Sequence, residues 1–102
     1  MENIDLEKIA DHLDFDLEDV VMLIEVFKEG AIESLETMKK AIEANDLDTV
    51  YKSAHSIKGS SANLTLNDIS NIAKEIEQNA KEAKEFNYQE RYNQLEKLIR
   101  SI

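Results

Sequence analysis

The chain has 102 residues and a formal charge of −10, from 12 Lys and Arg against 22 Asp and Glu. That length predicts one domain over residues 1–102 with room for a modest core, and the acidic balance argues against nucleic acid or an anionic membrane surface as partner. Cysteine is absent, which excludes disulfide and thiol chemistry and fits a reducing compartment.

No apolar run approaches the roughly 20 residues of a bilayer span, and the amino terminus lacks a signal-peptide pattern, so a cytoplasmic protein is expected. Without proline and with two glycines, the sequence has few forced breaks, and no stretch alternates as a half-buried strand does. The expected class is all-α.

Residues 4–13 place Ile4, Ile9 and Leu13 in a short amphipathic pattern that Asp14-Phe15-Asp16 interrupts. His12 sits in this acidic run, whose imidazole and carboxylates are metal-ligand types. The spacing lacks the central glycine of a calcium loop, however, and acids before a helix are explained by capping and the helix dipole, so no metal site is expected. From about Leu17 to Ala44 runs the longest helix, with Val20, Ile24, Phe27, Ala31, Leu35, Met38 and Ile42 as its stripe. Met22 and Met38 read as packing residues, and Gly30 is assigned no function.

Ala44-Asn45-Asp46 is the first clear turn, with Asn45 suited to ending one helix and Asp46 to capping the next. So short a connection makes the two helices antiparallel neighbours. The third helix runs to about Asn63. A fourth spans about Leu66 to Lys84 on Ile69, Ile72, Ala73, Ile76, Ala80 and Ala83, and a last one spans about Tyr88 to Ser101 with Tyr88, Tyr92, Leu95, Ile99 and Ile102 on one side. The architecture expected is an antiparallel four-helix bundle with a short additional N-terminal helix.

Chemistry is expected on the third helix, in Ala54-His55-Ser56-Ile57-Lys58-Gly59-Ser60-Ser61-Ala62-Asn63-Leu64. Leu47, Val50, Ala54, Ile57, Ser61 and Leu64 gather on the buried face, and His55, about 100° around from Ala54, falls on the flank where core meets water. Lys58 and Gly59, three and four residues on, are its surface neighbours, with Ala62 one turn beyond. A neutral imidazole is a nucleophile near neutral pH, and Lys58 could offset negative charge on phosphoryl oxygens. Gly59 costs roughly 1 kcal/mol relative to alanine inside a helix; it makes sense where a bulky partner must approach closely. Lys52 also flanks His55, whereas Lys39 and Lys40 read as ordinary surface lysines.

His55-x-x-Lys58-Gly59-Ser60-Ser61, then Leu64, resembles the signature of histidine-containing phosphotransfer (HPt) domains, and the likeness continues through Leu66, Ile69, Ala73 and Ile76 to Glu77. The resemblance implies phosphorelay signalling, with His55 taking a phosphoryl group from an aspartyl phosphate of one receiver domain and passing it to another. Lys58 would stabilise charge, and Lys52, Gly59 and Ala62 would face the partner. The partners implied are response-regulator receiver domains and a hybrid histidine kinase. No cofactor is expected on this chain, magnesium belonging to the receiver.

Nothing provides an ATP-binding loop, so a carrier rather than an autonomous kinase is expected, and a monomer. Leu13 and Phe15 are candidates for extra contact area. The alternative is a non-catalytic helical adaptor that binds receiver or kinase domains without being phosphorylated. Thr65 stands where the family usually has glycine, and Thr65-Leu66-Asn67-Asp68 fits a capping pattern that would open the next helix.

Overall fold

The computed structural model describes residues 4–102. The expected domain limits and the amino-terminal pattern both include residues 1–3, which lie outside the described residues. Five helices and no strands are formed among the described residues: α1 (Leu6–Leu13), α2 (Leu17–Glu43), α3 (Leu47–Asn63), α4 (Asn67–Lys81) and α5 (Tyr88–Arg100). Helices α2, α3, α4 and α5 pack in a closed ring, each against the next and α5 back against α2, while α1 lies on α2. The short turns make consecutive members antiparallel. This is the expected four-helix bundle with its extra N-terminal helix.

The helices form because each carries an apolar stripe at helical spacing and, at three N-termini, a side-chain cap. Asp5, Asp46 and Asn87 accept hydrogen bonds from the backbone N–H groups of Lys8, Thr49 and Glu90, satisfying donors that the first helical turn cannot pair internally. Val20, Ile24, Leu35, Met38, Val50, Ala54, Ile57, Ala73, Ile76, Leu95 and Ile99 are essentially inaccessible and form the core. Ile9 and Ala10 of α1 add to it.

Among the described residues, four other than glycine adopt left-handed backbone conformations: Asp14, Asn45, Thr65 and Ala83, with φ of 55°, 54°, 58° and 51°. Each follows a helix and closes it in the same way. After α3, the Leu66 N–H donates to Ser61 O at 2.9 Å and the Thr65 N–H to Ala62 O at 3.0 Å, the paired bonds of a Schellman motif. The same pairing ends α2, through Asp46 to Ala41 and Asn45 to Ile42, and α4, through Lys84 to Asn79 and Ala83 to Ala80.

Several expectations are corrected here. Thr65 does not cap α4: the N-cap position falls on Leu66, without a side-chain hydrogen bond, because Thr65 is already committed to closing α3. Helix α4 ends at Lys81 rather than Lys84, since the left-handed turn at Ala83 breaks the stripe to which that alanine was assigned. Met22 does not pack: it is 63% exposed, being two residues from both Val20 and Ile24 and hence on the opposite side of α2. Gly30, assigned no function, faces open space as a tolerated surface glycine does; a Cβ there would meet nothing within 4 Å.

Candidate functional site

Helix α3 presents His55 outward because the neighbouring positions bury. Ser53, Ala54 and Ile57 are held in the core, which fixes the helix rotation and leaves the His55 side chain 61% exposed. Its start is fixed by Asp46, which accepts from the Thr49 N–H at 3.2 Å and from the Thr49 hydroxyl at 2.6 Å. Those contacts hold the Asp46 carboxyl below its ordinary pKa. The Ser61 hydroxyl, fully buried, donates to Ile57 O at 2.6 Å and so enters the core without an unsatisfied group.

The imidazole is positioned across the interface with α4. His55 Nδ1 lies 3.0 Å from Glu77 Oε1, and Lys58 Nζ lies 2.6 Å from Glu77 Oε2. That ion pair is the sole polar contact, among the described residues, of an otherwise unpartnered buried oxygen. Burial would raise the Glu77 pKa, but the contacts with Lys58 and His55 outweigh it and hold the carboxyl below its ordinary value. An ionised carboxylate only accepts hydrogen bonds, so the neutral ring carries its proton on Nδ1 and leaves Nε2 with a lone pair. Tyr51, one turn earlier, lies beside the imidazole with ring centroids 6.1 Å apart.

Of the residues expected at the site, His55, Gly59 and Ala62 are exposed on α3 and Lys58 is partly buried. Lys58 is not a free cation but is paired with Glu77. Lys52 is paired too, with Asp48 at 2.9 Å on the open surface. At Gly59 a Cβ would meet nothing within 4 Å, so the fold itself does not demand glycine there.

Glu77 is the residue that sequence reasoning left out of the site. Its signal was present in the stripe of α4, where Glu77 lies four residues after Ala73 and one after Ile76, inside the buried arc. A carboxylate at a core position requires a partner, and a lysine and a histidine on the facing helix supply two. His12 is exposed at the end of α1. No group of three or more His, Asp or Glu side chains that could hold a metal occurs among the described residues.

A family model described as Hpt domain matches residues 22–102. The chain belongs to the Hpt domain family. No curated protein and no solved structure matches it. The matched region begins within α2 and takes in the whole of α3, α4 and α5, so α1 is the element added in front of it. Membership of the Hpt family assigns the chain to phosphorelay phosphotransfer, and receiver domains of response regulators are the partners of that family. No helix among the described residues of this Hpt domain is long and apolar enough to cross a membrane.

Proposed function

We propose that Nε2 of His55 accepts a phosphoryl group from an aspartyl phosphate of one receiver domain and passes it to the aspartate of another. The observation that carries this reading is the single contact of His55 Nδ1 with the Glu77 carboxylate at 3.0 Å, which fixes the tautomer of the neutral ring and leaves Nε2 as its exposed nucleophilic nitrogen. Lys58, already within one helical turn, supplies positive charge to the incoming phosphoryl oxygens. The open space over Gly59 and the exposed Ala62 give a receiver's active site close access to α3. Lys52 adds charge complementary to its acidic, magnesium-binding pocket.

Docking extends onto the start of α2. Phe15, Leu17, Met22, Leu23 and Val26 are exposed there, Val26 at 67% and Met22 at 63%, an apolar concentration that a solvent-facing surface has no need of. Counting from the turn at Asn45, Val26 is about 14 Å further along the bundle than His55, toward the end of α3 that carries Gly59 and Ala62. Phe15 supports this contact area; Leu13, which is packed against the core, supports it less. The protein acts as a single monomeric domain over residues 1–102, in the cytoplasm, as a carrier without ATP-dependent kinase activity of its own. A receiver belonging to a hybrid histidine kinase is one source of the phosphoryl group.

The test is to incubate the protein with a panel of phosphorylated receivers and magnesium and to measure acid-labile phosphate on wild type and His55→Gln. Label on wild type alone is expected. Binding to competent receivers without label on wild type would overturn the carrier reading in favour of an adaptor.

A further inference from the structure

Glu77 is 7% exposed and divides its two oxygens between His55 and Lys58. A glutamine could offer Nδ1–H the same carbonyl-type acceptor at the same distance. What the carboxylate adds is negative charge. We propose that the charge of Glu77 sets how readily phosphorylated His55 releases its phosphoryl group, by keeping the proton on Nδ1 while phosphorus is bonded to Nε2. The inference rests on reading His55 as the phosphoryl carrier.

In the release step the Nε2–P bond breaks and its electron pair returns to Nε2. An aspartate carboxylate oxygen of the receiver supplies the pair for the new O–P bond; where no receiver is present, a water oxygen supplies it and gives up a proton to solvent, forming inorganic phosphate. With the proton retained on Nδ1, the ring departs as neutral imidazole. Without that proton it would depart as imidazolate, a far more basic and poorer leaving group. A ring carrying both phosphorus on Nε2 and hydrogen on Nδ1 has positive charge on the imidazole, which an adjacent carboxylate stabilises and a neutral amide does so less.

The surroundings leave Glu77 as the group in position to do this. On α3, Lys58 pairs with its other oxygen, Lys52 is held by Asp48, and Tyr51 presents a ring at 6.1 Å. From α2, the other helix packed against α3, no hydrogen bond or ion pair reaches His55 among the described residues.

The experiment loads the protein with phosphoramidate, from which Nε2 displaces ammonia, so that loading requires no receiver. Phosphorus NMR then follows loss of the signal that is absent from His55→Gln, from about pH 6 to about pH 10, in wild type, Glu77→Gln and the double variant Lys58→Gln/Glu77→Gln. Circular dichroism verifies the helices of each. Release from wild type is expected to persist to higher pH, with the midpoint of Glu77→Gln lower by roughly one pH unit, the difference between a charged and a neutral hydrogen bond. At pH above both midpoints its release is up to roughly tenfold slower.

The double variant is expected to keep the shift. Superimposed wild-type and Glu77→Gln profiles overturn the proposal, and so does a double variant that reverts, which would assign the shift to Lys58 released onto phosphoryl oxygens. Transfer to receivers is scored separately. A shifted profile with no transfer to any competent receiver refutes the relay and leaves the role of Glu77 standing; transfer with superimposed profiles does the reverse. Failure of wild-type His55 to load overturns both.

Discussion

Thr65→Gly is expected to stabilise the protein, although it removes a side chain from the junction beside the site. Thr65 holds φ at 58°, where an L-residue is disfavoured by roughly 1–2 kcal/mol through crowding of its Cβ against the carbonyl. Threonine, branched at Cβ, sits poorly in that region. Glycine escapes the crowding but loses about 0.5–1 kcal/mol more backbone entropy on folding than alanine does. The difference leaves a net gain of about 0.5–1 kcal/mol, or roughly 2–8 °C in melting temperature for a domain of this size.

The other helix ends provide internal standards. Ala83 is exposed, with φ of 51° and no branch at Cβ, so Ala83→Gly should gain somewhat less. Asn45→Gly should gain almost nothing, because asparagine tolerates the left-handed region at φ of 54°. Urea unfolding of the three variants, followed by circular dichroism, gives the order directly. A gain for Asn45→Gly as large as that for Thr65→Gly, or a loss for Thr65→Gly, would refute the strain argument.

Gly59 separates stability from function in the opposite sense. Gly59→Ala should stabilise the helix by about 1 kcal/mol, since nothing in the fold occupies the space. Gly59→Leu should fold but slow receiver transfer at least roughly tenfold, the scale of a lost close approach, while Gly30→Leu at the other open glycine leaves transfer unchanged. Equal transfer rates for the two leucine variants would remove the clearance argument. Acid titration tests the charge of Glu77 in a separate way. Its folded pKa lies below the ordinary 4.5, so its ionisation contributes stability that is fully present above that value and is lost as pH falls through the lower folded value. Chemical denaturation at successive pH values should therefore show a shallower acid loss in Glu77→Gln than in wild type below about pH 4.5.

The parts of the fold legible in the sequence were those governed by periodicity. Val50, Ala54, Ile57 and Ser61 repeat at helical spacing, and that spacing alone places His55 outward. The Asn45-Asp46 turn was legible for a similar reason: asparagine suits a left-handed closure and aspartate an N-cap, and each does what its side chain favours.

Thr65 and Ala83 were misread because their conformations oppose local preference. The six-residue hydrogen bond that closes each helix depends on where the following chain must go, which tertiary packing decides. Lys58 appeared free because its partner lies 19 residues away on another helix, beyond the reach of a single-helix argument. Glu77 was readable as an anomaly, an acid in an apolar arc, but its alignment with His55 and Lys58 depends on the relative rotation of α3 and α4. Met22 was misplaced through residue type, whereas its angle from Val20 and Ile24 points it to solvent.

The side chain of His55 stands on a convex helical surface, 61% exposed, with unfilled volume over the neighbouring glycine. A phosphoryl group mounted there, as proposed, would have no wall, lid or strand among the described residues between it and bulk water. Such a carrier works as an open terminal rather than a vault: its cargo meets any receiver that diffuses to it, but also meets solvent at every moment between partners. Under the proposed relay, delivery is a competition between the arrival of an acceptor and loss to solvent, so receiver concentration and the release rate set at His55 together decide whether a signal is delivered or lost.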